Sequence, residues 1–281
     1  MPALRQRLFE VKRRLLGRDL AGRAVTVLSD DVYLTSYPRS GNTWTRFLLA
    51  NLAYPDTPAT FANIEDLIPS IHLFPNRWLS TRPRPRFLKS HEYFDPRYPK
   101  VIYVVRDPRD VAVSMYHYCI KREYLPETCP IDQFVPRFIT GEFFNDFATW
   151  GEHVATWLAA RESSPTFLLL RYENILEDTV RELSRVAAFL HIPDDPKRLQ
   201  EAVERSSASQ MRSLEKKQSS DWILTRNTRP DKPFVRAAKS GEWNQALAPE
   251  SVMAIENAWP TLMQKLGYAF CSRLETAMGR L

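Results

Sequence analysis

Apolar residues along the chain fall into two alternating kinds of run. Short, nearly continuous apolar stretches lie at 32–36 (VYLTS), 87–89 (FLK), 101–105 (VIYVV) and 166–170 (TFLLL), with a weaker one at 25–28. Their length and β-branched or aromatic content suit strands buried on both faces. Between them, apolar positions recur at helical spacing near 43–53, 109–121, 145–161 and 178–190, and again near 250–266. Strands alternating with helices predict βαβ units, hence an α/β fold with a central parallel sheet flanked by helices. No repeat, low-complexity tract or Gly/Ser linker interrupts the 281 residues, so residues 1–281 are expected to form a single domain.

Two segments break the alternation: 54–86, rich in Pro and aromatic residues, and 214–241, rich in charge and ending VRAAKSGEW. Long connections leaving the carboxyl ends of parallel strands tend to form the ligand crevice, so both are expected to cover an active site. Within the first, Phe61, Ile64, Leu67, Ile68, Phe74 and Trp78 suggest an apolar or amphipathic ligand, or equally the core of a helical cap. At the start of the chain, residues 1–24 read as an amphipathic helix and lead-in. Leu4, Leu8, Val11 and Leu15 share one face of it, with Arg and Lys opposite. Such a helix packs on its own domain or rests on a membrane surface.

Composition narrows the classes. With 44% hydrophobic and 26% charged residues the chain is too apolar for disorder. A net charge of +6 and a pI of about 9.2 favour an anionic partner: a nucleotide, a nucleic acid, an acidic glycan or a membrane surface. The three cysteines form no Cys-x-x-Cys pair, and an odd count does not suggest a disulfide framework. The N-terminal stretch lacks the apolar core of a signal peptide, and no stretch reaches bilayer-spanning length. A soluble, cytoplasmic protein is expected.

Candidate chemistry gathers where predicted strands end. The first runs into YPRSGNTW, where Gly41 permits a tight turn and the helix beginning at Thr43 and Trp44 offers unpaired N–H groups and the positive end of its dipole. Arg39 adds charge beside Ser40, Gly41 and Asn42. This is the form of a phosphate loop, yet the Gly-Lys-Ser/Thr of a nucleotide triphosphatase is absent. An ordinary strand–turn–helix with a surface Arg fits the same residues. In VIYVVRDPRDVAVSMY, Asp107-Pro108 reads as helix N-cap and first helical position. Arg106 then stands at the end of a buried strand with Ser114 two turns into the helix, a pair able to grip a second phosphate. Arg109 and Asp110 read as structural, fixing the strand–helix corner. In RFLKSHEYF, Lys89 and His91 close a third strand, and a histidine with an ordinary pKa near 6.5 offers a neutral base at neutral pH.

Taken in order, these motifs resemble the sulfotransferase superfamily, in the style of its soluble cytosolic-type enzymes. YPRSGNTW is similar to the family's 5′-phosphosulfate loop, RDPRDVAVSMY to its 3′-phosphate motif and KSH to the strand end bearing its catalytic histidine. LLLRYENI, SSASQM and FVRAAKSGEW resemble the later adenine, serine and Arg-Gly contacts. The resemblance implies a P-loop-like fold and a donor, 3′-phosphoadenosine-5′-phosphosulfate (PAPS), with 3′,5′-adenosine bisphosphate (PAP) as product and no metal. It implies that Arg39, Ser40, Gly41, Asn42, Thr43 and Trp44 bind the phosphosulfate end, and Arg106 and Ser114 the 3′-phosphate. Trp44 and Tyr172 would flank the adenine with Ser207 near it, and Arg236 and Gly241 would close over the 3′-phosphate. His91 would be the base, with Arg39 and Lys89 opposing developing charge, and a hydroxyl compound (phenol, sterol, lipid or glycan) the acceptor. Departures from the family pattern are Arg39 for Lys, Asn42 for Thr, and Ala237 and Ala238 for a basic residue and Gly. The family's dimerisation motif (KxxxTVxxxE) does not stand out around 244–251, so no oligomeric state is assigned. The competing classes are a P-loop kinase, which would need the missing Walker lysine, and a basic nucleic-acid- or membrane-binding protein using RPRPR at 82–86. No nucleic-acid module is recognised.

Overall fold

The computed structural model describes residues 20–271, so the N-terminal face formed by Leu4, Leu8, Val11 and Leu15 lies outside the described residues. Strands β1 (Val32–Ser36), β2 (Phe87–Ser90), β3 (Lys100–Val105) and β4 (Phe167–Arg171) form one parallel sheet in the order β2-β1-β3-β4. Leu34 lies opposite Lys89 on one side and Ile102 on the other, and Tyr103 opposite Leu169. The stretch at 25–28 does not extend the sheet. The Thr26 N–H donates to Asn76 Oδ1 and the Leu28 N–H to Asp31 Oδ2, so side chains take the donors a ladder would need.

The α-helices of six residues or more are α1 (Asn42–Ala53), α2 (Pro108–Lys121), α3 (Ile131–Ile139), α4 (Trp150–Arg161), α5 (Tyr172–Glu177), α6 (Thr179–Leu190), α7 (Pro196–Arg205), α8 (Ala208–Gln218), α9 (Pro249–Ala258) and α10 (Pro260–Lys265). Alternation along the strands divides the core. Val32, Leu34, Ile102 and Val104 pack with Phe47, Leu48, Leu52, Leu183 and Val186 of α1 and α6. Tyr33, Val101, Tyr103 and Val105 meet Val111, Met115, Trp150 and Trp157 of α2 and α4 on the other face. Caps fix the helix starts: Asp107 accepts from the Arg109 N–H, Thr149 and Glu152 form a capping box, and Asp178 accepts from the Arg181 N–H. Each such cap is worth about 1 kcal/mol.

Four of these helices had no counterpart in the sequence pattern, among them α5, which opens at Tyr172 directly after β4. Helix α3 carries Pro136 in its interior. In α7 only Leu199 and Ala202 are buried, within a very polar stretch. Helix α8 occupies charge-rich sequence around the start of the 214–241 segment, with Ser207 as its N-cap. The helix expected at 250–266 breaks at Trp259, whose φ of −140° departs from helix before Pro260 opens α10.

Segment 54–86 is compact. Phe61, Ile64 and Ile68 are core residues, with Phe61 against Phe47 and Trp222, and Phe74 stacks on Trp78 at 4.0 Å. These apolar side chains therefore anchor the segment. Ser70, His72 and Leu73 are the part of it that reaches the cavity described below. Among the described residues no helix is long and apolar enough to cross a membrane.

A buried ion pair ties the start of the sheet together. Arg86 donates to Asp31 through Nε at 2.8 Å and through its terminal nitrogen at 2.6 Å, and neither side chain is more than 1% exposed. Removing one partner strands the other charge, so Asp31→Asn is expected to cost about 3–5 kcal/mol in urea denaturation. The double substitution Asp31→Leu/Arg86→Leu is expected to recover part of that loss.

Candidate active site

Because all four strands are parallel, their carboxyl ends share one edge of the sheet. The chain moves outward from β1 to β2, returns to β3 on the other side of β1 and continues to β4, so the topological switch lies between β1 and β3. A cavity of about 310 Å³ opens there, lined by residues that follow each strand: Arg39 and Gly41 after β1, His91 after β2, Arg106 after β3 and Tyr172 after β4.

The loop after β1 is shaped for an anion. Arg39 (φ 69°) and Gly41 (φ 95°) both adopt left-handed backbone, which turns successive N–H groups toward one concavity. At Gly41 a side chain has no room, since an added Cβ would lie 2.3 Å from Tyr172 Cδ2. The N–H groups of Asn42, Thr43 and Trp44 open α1 and have no hydrogen-bond partner among the described residues. Asn42 enters differently from expectation: its Nδ2 turns back to donate to Ser36 Oγ at 3.1 Å, leaving its backbone as the part that faces an anion.

Two arginines flank this loop. The Arg39 guanidinium packs against the Tyr118 and Phe234 rings, 4.8 and 4.9 Å from their centroids, and its Nε donates to Ser114 Oγ at 3.2 Å. Burial, with the like charges of Arg106 and Arg236, pulls its pKa down to about 10. Arg106 sits over the Tyr172 ring at 4.3 Å and donates to the Lys239 carbonyl at 3.0 Å, with the Asp110 carboxylate 3.8 Å away. Trp44 meets Tyr172 edge-on at 5.7 Å, and its indole N–H donates to the Ser206 carbonyl.

Lys89 and His91 face the cavity from the end of β2. Lys89 is 6% exposed and has no ion-pair partner among the described residues. Burial, reinforced by Arg46, lowers its pKa to about 7. His91 Nδ1 lies 2.8 Å from the Ser36 carbonyl, which can only accept, so Nδ1 carries the proton and Nε2 keeps its lone pair. Burial, with Lys89 nearby, holds the His91 pKa well below 6.5, so the ring is neutral at physiological pH.

Most of the sequence-predicted residues meet in this one cavity: Arg39, Gly41, Asn42, Thr43, Trp44, Lys89, His91, Arg106, Ser114, Tyr172 and Arg236 all line it. Ser40, Ser207 and Gly241 do not. Ser40 is buried beneath the loop, and Ser207 caps α8 by accepting from the Gln210 N–H. The Gly241 N–H is committed to Asp110 Oδ2 at 2.7 Å, and the Trp243 N–H to Asp110 Oδ1. Arg236 is paired with Glu242 in the same loop. Arg109 joins Asp107 to Glu256, at 2.6 Å each, whereas Asp110, expected to fix the same strand–helix corner, holds the C-terminal loop instead. Sequence reading missed five lining residues: His72, Phe144 and Phe147, which belong to no motif, and Tyr118 and Phe234, which lie in or beside motifs but were given no role.

The residues present fit a bis-anionic nucleotide. Arg106 Nε is a buried donor without a hydrogen-bond partner among the described residues, and the α1 N–H groups add more. Lys89 makes this testable. A lysine lowered to about 7 is neutral above that pH in the free protein, and a bound anion raises its pKa toward the ordinary value. Titration with PAP at about pH 8 is therefore expected to take up a proton, and at about pH 6 almost none. Calorimetry in buffers of different ionisation enthalpy reads this, and Lys89→Arg is expected to abolish the uptake.

Comparison with known proteins identifies the family. A family model for the sulfotransferase domain matches residues 29–267. The chain is 27% identical over 240 residues to sulfotransferase 2B1 of Mus musculus, covering 80% of this chain and 68% of that protein. It is 24% identical over 263 residues to sulfotransferase 1B1 of the same species, covering 88% and 87%. The crystal structure of mouse sulfotransferase SULT7A1 complexed with PAP superposes with a TM-score of 0.69 at 25% identity, over 86% of this chain and 87% of that one. Retinol dehydratase in complex with androsterone and the inactive cofactor PAP shares the fold, with a TM-score of 0.68 at 20% identity over 85% and 82%. The chain belongs to the sulfotransferase family.

Proposed function

We propose that His91 is the general base of a PAPS-dependent sulfotransferase, and that the cavity carries the sulfuryl group from PAPS to an acceptor hydroxyl. The observation that supports this reading best is the His91 tautomer: Nδ1–H is held by the Ser36 carbonyl, leaving a basic Nε2 beside Lys89 and the β1 anion loop. As the acceptor oxygen attacks sulfur in line, His91 Nε2 takes its proton and a new O–S bond forms. The bond from sulfur to the bridging oxygen breaks, and the electron pair leaves with PAP.

Arg39, Lys89 and the N–H groups of Asn42, Thr43 and Trp44 oppose the charge that grows on the sulfuryl and bridging oxygens. As in phosphoryl transfer, positioning and electrostatics dominate. Arg106 and Ser114 take the 3′-phosphate, and Trp44 and Tyr172 hold the adenine. Leu73, Tyr118, Phe144, Phe147 and Leu224 give the rest of the cavity an apolar, largely aromatic wall, which supports an acceptor with a flat apolar body. A cytoplasmic setting suits the free thiols Cys119 and Cys129.

His91→Ala is expected to lower kcat by about 10²–10⁴-fold while PAP still raises the melting temperature. Near-normal turnover in that variant would remove the base assignment. Arg39→Ala is expected to lose about 10²–10³-fold in kcat, and Arg39→Lys to recover only part of it, because Lys cannot keep the planar contacts to Ser114, Tyr118 and Phe234.

A further inference from the structure

The peptide group of His91 is held from both sides by other histidines. Its N–H donates to His72 Nε2 at 3.0 Å, and its carbonyl lies 3.1 Å from His153 Nε2. These contacts fix both tautomers. His72 Nε2 must be an accepting lone pair, so its proton is on Nδ1, which faces Glu92 Oε1 at 3.8 Å. His153 Nε2 must be a donor, so its Nδ1 accepts, and the Tyr103 hydroxyl lies there at 2.7 Å. The outer ends are anchored as well: Glu92 accepts from Arg23 Nε at 2.7 Å, and Tyr103 belongs to the centre of β3. His153 is fully buried on α4, whereas His72 lines the cavity and packs edge-on against Phe147 at 5.2 Å.

We infer that His72 and His153 are positioning residues, two neutral imidazoles that clamp the His91 peptide so that its ring Nε2 stays aimed into the cavity. The inference rests on His91 being the base. His72 is not itself a base in this arrangement, because its only lone pair is occupied by the His91 N–H. Burial lowers the pKa of each to about 3, which keeps both in the neutral form the clamp needs. A protonated His72 would present Nε2–H to the His91 N–H, two donors facing each other. The clamp matters because a displacement of about 1 Å at a reacting group can cost about 10²-fold in rate.

The test compares His72→Leu, which removes the acceptor for the His91 N–H, with His72→Gln, whose amide oxygen can replace it. Turnover of PAPS is followed with 2-naphthol as acceptor or, if the wild type does not use it, with water. His72→Leu is expected to lower kcat by about 10–10²-fold with the KM for PAPS unchanged, and His72→Gln to retain most of kcat. His153→Leu and His153→Gln are expected to differ in the same way. In the His91→Ala background, adding His72→Leu is expected to cost nothing further, because its effect passes through His91. Equal losses for Leu and Gln, or a full His72→Leu penalty persisting without the His91 ring, would overturn the clamp. Near-normal turnover of His91→Ala alone would instead overturn the base assignment, a separate result.

Discussion

Parallel pairing of β1 with β2 and with β3 is the constraint on which the rest of the structure depends. Parallel strands end on the same side, so one geometric fact delivers the anion loop, the base and the second arginine to a single edge. Antiparallel insertion of any one strand would send its terminal residues to the far side of the sheet. The connections carry the corresponding burden. Each must cross the sheet, and the helices that do so bury its two faces with separate apolar clusters. Fold stability and site assembly are thus one requirement, since the core that holds the strands in register also sets the spacing of Arg39, His91 and Arg106.

The electrostatics of the site follow from what those strand ends lack. Arg39, Arg106 and Lys89 converge in a half-buried space where the nearest carboxylates are engaged elsewhere: Asp107 with Arg109, Asp110 with the Gly241 and Trp243 amides, and Glu65 with Arg46. Aromatic faces stand beside both arginines: Tyr118 and Phe234 at Arg39, which has no ion pair among the described residues, and Tyr172 at Arg106, which also has the Asp110 carboxylate 3.8 Å away. A polyanion entering such a space meets charges already desolvated and oriented, the condition under which electrostatic stabilisation is strongest. The neutral histidines fit the same logic, because burial first, and then the Lys89 charge at this edge, disfavours any further positive charge.

Much of this was legible in the residues themselves. Short apolar runs located all four strands to within one residue at either end, because strands buried on both faces leave a continuous signal. The loop, the Asp107-Pro108 cap and Lys89-Ser-His91 were readable because glycine, proline and charge at a strand end have few purely local explanations. What stayed hidden is tertiary. His72 sits in irregular sequence and Phe147 in a short 3-10 turn (Asn145–Phe147) at the head of the run read as helix, and both reach the cavity only through how their segments fold back. His153 reads as one polar residue in an amphipathic helix until its contact with the His91 carbonyl is seen. The apolar residues of 54–86 left a ligand surface and the core of a cap equally open; Phe61, Ile64 and Ile68 are buried in the core, and pattern alone does not separate those two fates. In the C-terminal loop the motif located the segment correctly. It could not reveal that Glu242 and Asp110 already engage Arg236 and the Gly241 amide.

One contact at the cavity floor bears on how such a sequence can drift over generations. Gly41 and Tyr172 are far apart in the chain but compete for the same volume, since the ring fills the place where any side chain at 41 would begin. The same ring supports Arg106 and meets Trp44. A larger residue at 41 would require a smaller one at 172, and a smaller one at 172 would withdraw the platform beneath the arginine. The two positions are therefore locked to each other, and neither can be explored by single steps while the arginine's seat is kept.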